Sequence, residues 1–219
     1  MSKDTPSQSI ENYEKYEVIK SYQLPLRTKN GLISSFDITY FEFPRGRYHA
    51  ISKGVLKDAK NVPIRINSEC MWGRFGSAQC DCNEQFEESK EIIAKEGTGI
   101  IVFCHDQIGK NVGLKEHALI NSEANLNRGN KKLYELDIWA EPFIRHGGKL
   151  DYRDFSDVAE IIKYLGVKSI ELMTNNPAKI AAMEKNGIDV AKRRQLFVPI
   201  TEYNNVELTI KKNIGKHLL

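Results

Sequence analysis

Apolar and polar positions divide the chain into two stretches with different periods. Through residues 16–55 the alternation is short, as in half-buried strands, and it predicts strands over 16–19, 32–43 and 48–55. Asn30 and Gly31 form a tight-turn pair between the first two, because both residue types tolerate positive φ. Ile64-Arg65-Ile66-Asn67 keeps that alternation and runs directly into Ser68-Glu69-Cys70. Helical spacing then takes over: Phe86, Ile92 and Ile93 mark one face of a helix over 84–96, with Gly97 placed to end it. The second half alternates strand and helix. A buried strand is expected over 100–104, and a helix over 155–165 with Val158, Ile161, Ile162 and Leu165 on one face. A strand follows over 169–173, then a helix to about 186, opened by Asn176 as cap and Pro177 in the first turn. An extended segment over 189–198 and a final helix within 201–216 complete the pattern. This predicts an α/β fold: a mixed sheet with crossover helices and a β-rich N-terminal part. Residues 1–14 read as a flexible tail and 15–219 as one domain, with 121–150 as an irregular excursion.

Composition removes several classes of function. At 219 residues, 41% hydrophobic and 28% charged, the chain has material for a sizeable core and is not disordered in bulk. Its net charge of +3 and the lack of a basic stretch with interleaved aromatics argue against nucleic acid as partner. The longest apolar runs, such as residues 99–104, are far too short to span a bilayer, so no membrane partner is expected. The polar first residues show no apolar signal-peptide core, which makes a cytoplasmic enzyme or binding protein the expectation.

The cysteines sharpen this picture. Cys104 ends an apolar run and reads as a core thiol, while Cys70, Cys80 and Cys82 lie close together in the sequence. In a reducing compartment such clustering points to metal rather than disulfide. If residues 80–82 are extended, Cys80 and Cys82 point to the same side, and Gly73 and Gly76 allow the chain to return from Cys70. Thiolates suit zinc, and three protein ligands leave a fourth tetrahedral position for water, as in catalytic sites. Spacing alone leaves an alternative open: a structural zinc turn closed by one of His49, His105, His117, His146 or His217. Three thiolates around Zn²⁺ sum to a net negative charge, so the metal acidifies its water weakly and a nearby base is needed. Glu69 and Asp81 adjoin the ligands.

Four segments together resemble the signature of GTP cyclohydrolase II: Ser68-Glu69-Cys70; Cys80-Asp81-Cys82 with Gln85; Asp151-Tyr152-Arg153-Asp154-Phe155; and Thr174-Asn175-Asn176-Pro177-Ala178-Lys179. They occur in the family's order across about residues 60–195. The resemblance implies a layered α/β enzyme, a homodimer with one Zn²⁺ per chain and Mg²⁺ carried with the nucleotide. Such an enzyme opens the imidazole ring of GTP at C8, releasing formate and pyrophosphate to leave a diaminopyrimidinone ribosyl phosphate, the first step towards riboflavin. It implies Cys70, Cys80 and Cys82 as metal ligands, Glu69 beside them, and Arg65, Asn67, Ser68, Gln85, Thr174 and Lys179 on the substrate side. It also implies a nucleophilic Arg153 at the α-phosphate with Asp151 as its base. A guanidinium holds its proton under ordinary conditions, which leaves a simple phosphate clamp as the other reading. Gly109-Lys110 lies in a glycine-bearing turn that can offer backbone N–H groups to a phosphate.

The chain also departs from the family's pattern. One residue fewer separates Cys70 from Cys80, Asn67 replaces a histidine, and Gln107 and Lys110 replace a glutamate and an arginine, with Ile108 inserted. Residues 113–119 are about one helical turn shorter, and the family's active-site tyrosine has no clear counterpart, His117 being nearest. These departures leave three expectations: a divergent but complete cyclohydrolase, a paralogue that stops at a formamide or takes another purine nucleotide, or a zinc-stabilised nucleotide-binding module without turnover.

Overall fold

The computed structural model describes residues 10–126, 145 and 151–218. Eight strands form one sheet in the order β1-β2-β3-β4-β6-β5-β7-β8. They are β1 Ile10–Asn12, β2 Glu17–Arg27, β3 Ile33–Phe43, β4 Gly46–Lys53, β5 Val62–Ser68, β6 Gly99–Cys104, β7 Ile170–Met173 and β8 Val190–Arg194. From β1 through β4 to β6 every pairing is antiparallel, and from β6 through β5 and β7 to β8 every pairing is parallel. The mixed α/β sheet with a β-rich N-terminal part is therefore observed.

Six helices accompany it among the described residues: α1 Met71–Arg74, α2 Cys82–Glu96, α3 Leu114–Leu126, α4 Ser156–Tyr164, α5 Pro177–Lys185 and α6 Asn205–Asn213. Their ends carry the signals read from sequence. Gly97 closes α2 at φ 74°, its N–H donating to the Ile93 carbonyl. The Asn176 side chain accepts from the Ala178 N–H at 2.9 Å and caps α5, with Pro177 in the first turn. Gly31 takes φ 83° in the β2–β3 turn.

Some expectations change. Ile10–Asn12, read as part of the tail, pairs antiparallel with β2 because Tyr13 and Tyr16 stack and turn the chain back. The strand expected over 16–19 runs on to Arg27, since β3 offers it a full-length partner. Residues 121–126, read as the start of an irregular excursion, continue α3. Residues 1–9 and most of 127–150 lie outside the described residues.

Apolar layers cover both faces of the sheet. On one face Ile64, Ile66, Ile100 and Val102 pack with Phe155, Val158, Ile161 and Ile162 of the α4 region and Met183 of α5. On the other, Phe36, Ile38 and Ile101 pack with Ile93 of α2. Successive strand residues point to opposite faces. With Ile64 and Ile66 in the first layer, Arg65 and Asn67 are thus sent to the opposite side of β5, where both are buried. The fold invests a central strand in two buried polar side chains, and the reason lies at its C-terminal end.

Candidate active site

A cavity of about 730 Å³ opens at the carboxyl ends of β5, β6 and β7, the usual ligand position in parallel α/β sheets. Its walls include every site residue expected from sequence: Arg65, Asn67, Ser68, Glu69, Cys70, Cys80, Cys82, Gln85, Gln107, Gly109, Lys110, His117, Asp151, Arg153, Thr174 and Lys179. These come from six separate stretches of chain (65–70, 80–85, 107–110, 117, 151–153 and 174–179), so their convergence is a property of the fold.

The three thiols meet with their sulfurs within 4.8 Å of one another. Cys70 caps α1 and its Sγ accepts from the Gly73 N–H at 3.4 Å. The 80–82 tripeptide is not extended as expected. Asp81 sits at φ −102°, ψ 10°, and Cys82 already begins α2, so a turn into the helix brings the sulfurs together. A Cβ at Gly73 would lie 3.2 Å from the Cys82 Cβ and 3.3 Å from the Asn83 N, which explains the glycine where α1 crosses the start of α2. Hydrogen bonding among the sulfurs pushes the Cys80 thiol up and the Cys82 thiol to about 11, while Cys70 ionises first. The thiolate is the metal-ligating form, so a cation bound here would draw off the protons that the three thiols otherwise keep. Cys104 is fully buried in the core, and burial pushes its thiol to about 12.

A chain of hydrogen bonds leads away from the sulfurs. Arg65 donates to Gln85 Oε1 at 2.6 Å, and Gln85 Nε2 donates to Asp81 Oδ2 at 2.6 Å. The other Asp81 oxygen meets the Lys211 ammonium of α6. Burial raises the Asp81 carboxyl, but Lys211 and Arg65 more than offset this and hold it below its ordinary value. Asp81 is therefore committed to its partners, whereas Glu69 faces the cavity with its carboxylate 3.0 Å from Arg74 Nε.

On the opposite wall, Arg153 is fixed by Asp151, with Nε to Oδ1 at 2.9 Å and Nη2 to Oδ2 at 2.5 Å. Its Nη1 donates to Ser68 Oγ at 3.3 Å, and Ser68 donates to Gln107 Oε1 at 2.8 Å. Lys179 is buried, donates to the Ile66 carbonyl at 2.8 Å and lies 5.6 Å from the Phe155 ring. Burial and the nearby Arg65 and Arg153 hold its ammonium well below the ordinary lysine range. Burial, with Arg153 close by, pushes Lys110 down to about 8.

The glycine turn lines the cavity through Gly109 and Lys110. The N–H groups of Asn111, Val112 and Gly113 donate to the Ile108 and Gly109 carbonyls of the same turn, so they are spent locally. What the turn contributes to the cavity is Lys110, held at φ 58°, and the close approach of Gly109 to His117. A Cβ at Gly109 would come within 2.7 Å of the His117 ring. His117 is buried beside Trp72, with ring centroids 5.7 Å apart, and burial lowers its pKa.

Sequence reasoning missed part of the wall. Trp72 and Asn121 line the cavity, as do Glu207 and Lys211 of α6; Asn175, quoted only within a motif, and His217, weighed only as a zinc ligand, line it too. For Trp72 the signal was its place two residues after Cys70. For Glu207 and Lys211 the only signal was their four-residue spacing, which puts them on one helix face and ordinarily means a solvated pair. Buried side-chain atoms without a hydrogen-bond partner among the described residues include Arg65 Nε, Trp72 Nε1, His117 Nδ1 and Glu207 Oε2, all from cavity-lining residues. Buried polar groups are rarely left unpaired, so this wall is shaped for a polar ligand.

A comparison with protein families decides the affiliation: the family model described as GTP cyclohydrolase II matches residues 20–195. The chain belongs to the GTP cyclohydrolase II family. It is 31% identical over 186 residues to a GTP cyclohydrolase-2 of Picrophilus torridus, covering 84% of this chain and 92% of that one. A GTP cyclohydrolase-2 of Buchnera aphidicola is 34% identical over 209 residues, covering 93% and 98%. The riboflavin biosynthesis protein RibBA of Aquifex aeolicus is 35% identical over 175 residues, which is 77% of this chain and 40% of that longer one. The span matched by the family model holds all the site residues read from sequence and ends before α6.

Proposed function

We propose that the protein opens the imidazole ring of GTP at C8 in a Zn²⁺-dependent hydrolysis, releasing formate and pyrophosphate to give a diaminopyrimidinone ribosyl phosphate. The observation that carries this reading is the convergence of three clustered thiols with a cation-lined cavity at the strand ends. Cys70, Cys80 and Cys82 suit one zinc per chain by donor type and spacing. Zinc held there supplies an electrophilic centre with a position for water.

The chain's own residues account for binding and proton movement. Five cationic side chains line the cavity (Arg65, Lys110, Arg153, Lys179 and Lys211) against three carboxylates, Glu69, Asp151 and Glu207. Burial first, and then the neighbouring cations, depress Lys110 and Lys179; a triphosphate with its Mg²⁺ offsets both costs, which makes the wall complementary to a polyanion. Arg153, fixed by Asp151 and Ser68, acts as a phosphate clamp, since a guanidinium engaged on three nitrogens is a poor nucleophile. Of the two carboxylates adjoining the cysteines in sequence, Glu69 faces the cavity and is the base for water. His117 in its protonated form is the donor to the departing amine, and burial, by lowering its pKa, makes that form scarce.

A second reading is favoured by one observation: an imidazole, not a phenol, stands beside the Gly109 turn. In that reading hydrolysis stops at a formamidopyrimidine, or another purine nucleotide is the substrate. The homodimer belongs to the same proposal, and exposed Tyr22, Leu24 and Ile33 on β2 and β3 supply apolar surface for it. No helix among the described residues is long and apolar enough to cross a membrane, and a cytoplasmic setting is proposed with the rest.

The test is incubation of zinc-loaded protein with GTP and Mg²⁺, with products identified by mass. A diaminopyrimidinone or formamidopyrimidine nucleotide is expected. Unchanged GTP with fully metallated protein would contradict the proposal, as would simple phosphate hydrolysis with an intact purine.

A further inference from the structure

The site contains a carboxylate that the family match does not reach. Glu207 lies on α6, beyond the matched residues 20–195, and the Glu207 and Asp81 carboxylates and the Cys82 thiol have ligand atoms within 4.8 Å of one another. Glu207 Oε1 pairs with Lys211 at 2.9 Å, and Lys211 also binds Asp81. Glu207 Oε2 is buried with no hydrogen-bond partner among the described residues.

Contacts at both ends of α6 and along its buried side fix its position. The Leu218 N–H donates to the Asn175 carbonyl at 2.8 Å, and the His217 N–H donates to the Lys211 carbonyl at 2.9 Å. Arg193 Nη1 donates to the Leu218 carbonyl at 3.0 Å. Asn204, just before the helix, donates to the Pro199 carbonyl at 3.0 Å, and Leu208 and Ile210 are buried. The helix therefore delivers a carboxylate oxygen to the cysteine cluster and holds it there without a donor.

We propose that Glu207 is a positioning residue for the metal centre. Its free oxygen accepts a hydrogen bond from the water in the position left open by Cys70, Cys80 and Cys82, so the C-terminal helix completes the site. This rests on the metal reading given above. Direct ligation fits less well: an oxygen on the same ion would lie close to all three sulfurs, whereas Glu207 groups with Cys82 and Asp81 and not with the three-sulfur set. Lys211 holds Oε1 of Glu207, so the buried Oε2 is the oxygen left to accept from a further group. A carboxylate hydrogen-bonded to a group on the metal tightens the metal's hold, and losing such a partner typically costs about 10- to 100-fold in affinity.

The experiment is competition for Zn²⁺ between stripped protein and a chromophoric chelator, without nucleotide. Wild type, Glu207→Gln, Glu207→Asp and, as an exposed control on the same helix, Lys212→Ala are compared. Glu207→Gln should weaken zinc binding about 10- to 100-fold, Glu207→Asp should recover part of it, and Lys212→Ala should match wild type. In Co²⁺-loaded protein the visible bands should shift in Glu207→Gln. Glu207→Gln also weakens the pair with Lys211, so its metal-free melting temperature falls; recovery of zinc affinity in Glu207→Asp, which restores the charge, separates this role from a purely structural one. Wild-type zinc affinity and an unshifted cobalt spectrum in Glu207→Gln would overturn the proposal while leaving the metal site intact. Failure of wild type itself to bind zinc would overturn both.

Discussion

Asp151 grips Arg153 across one intervening residue, with two nitrogens of the guanidinium on two oxygens of the carboxylate at 2.9 and 2.5 Å. Burial alone would raise the Asp151 carboxyl, but Arg153 more than offsets this and keeps it below its ordinary value. The pair thus stays charged and fixed at neutral pH, a geometry suited to holding phosphate. Arg153→Lys keeps the charge and loses the fork. Charge-assisted hydrogen bonds contribute about 1.5–3 kcal/mol each, so KM for GTP should rise about 10- to 100-fold. Pyrophosphate should still be released at saturation, as followed by a coupled phosphate assay. Unchanged KM with complete loss of pyrophosphate release would instead assign Arg153 a covalent role.

The pH response of the C-terminal segment follows from His217. Burial, with Lys211, Lys179 and Arg153 nearby, pushes its imidazole down to about 4, against about 6.5 in an unfolded chain. As pH falls the unfolded segment takes up the proton first. The stabilising contribution is therefore complete above about 6.5 and is lost as pH falls towards about 4. Amide exchange at Leu218, whose N–H is bonded to Asn175, reads this directly. Its protection factor, corrected for intrinsic rate, should drop between pH 7 and pH 5 in wild type and stay flat in His217→Gln. Equal protection at both pH values in wild type would remove the coupling.

Much of this architecture was legible because its signals are local. Gly97 after a helical face, Asn176-Pro177 before one, and the alternation of Ile64 to Asn67 each encode their element within a few residues. Cys70, Cys80 and Cys82 were legible as a set through donor chemistry, although the backbone that joins them was not: Cys82 opens a helix where an extended tripeptide was expected. Long-range pairing was less legible. β1 exists because β2 offers it an edge, and nothing within residues 10–12 announces that. Glu207 and Lys211 were hidden for the same reason. On a helix of ordinary amphipathic composition a Glu–Lys pair reads as solvated until the fold places Asp81 opposite it.

The altered surroundings of His117 bear on the product. Water addition at C8 and cleavage of the formamide pass through different tetrahedral species, and the second needs a proton donor at the departing amine. With burial lowering the His117 pKa, little protonated imidazole is present at pH 7 to serve. Formate release should therefore lag behind loss of GTP, and the lag should shorten as pH is lowered towards 6. A time course of formate against GTP, with the nucleotides identified by mass, measures both. Stoichiometric formate without a lag at any pH would mean that the second step is as well served as the first.

The central claim is that Cys70, Cys80 and Cys82 hold the zinc at which GTP is hydrolysed. It is tested most directly by titrating Zn²⁺ into metal-stripped protein while following GTP loss, for wild type, Cys82→Ser and Cys104→Ser. The rate should climb linearly and break at about one zinc per chain in wild type. The same break is expected in Cys104→Ser, whose buried thiol belongs to the core, and no metal-dependent rate is expected in Cys82→Ser. Full turnover by zinc-free wild type, or an undiminished zinc-dependent rate in Cys82→Ser, would contradict the account.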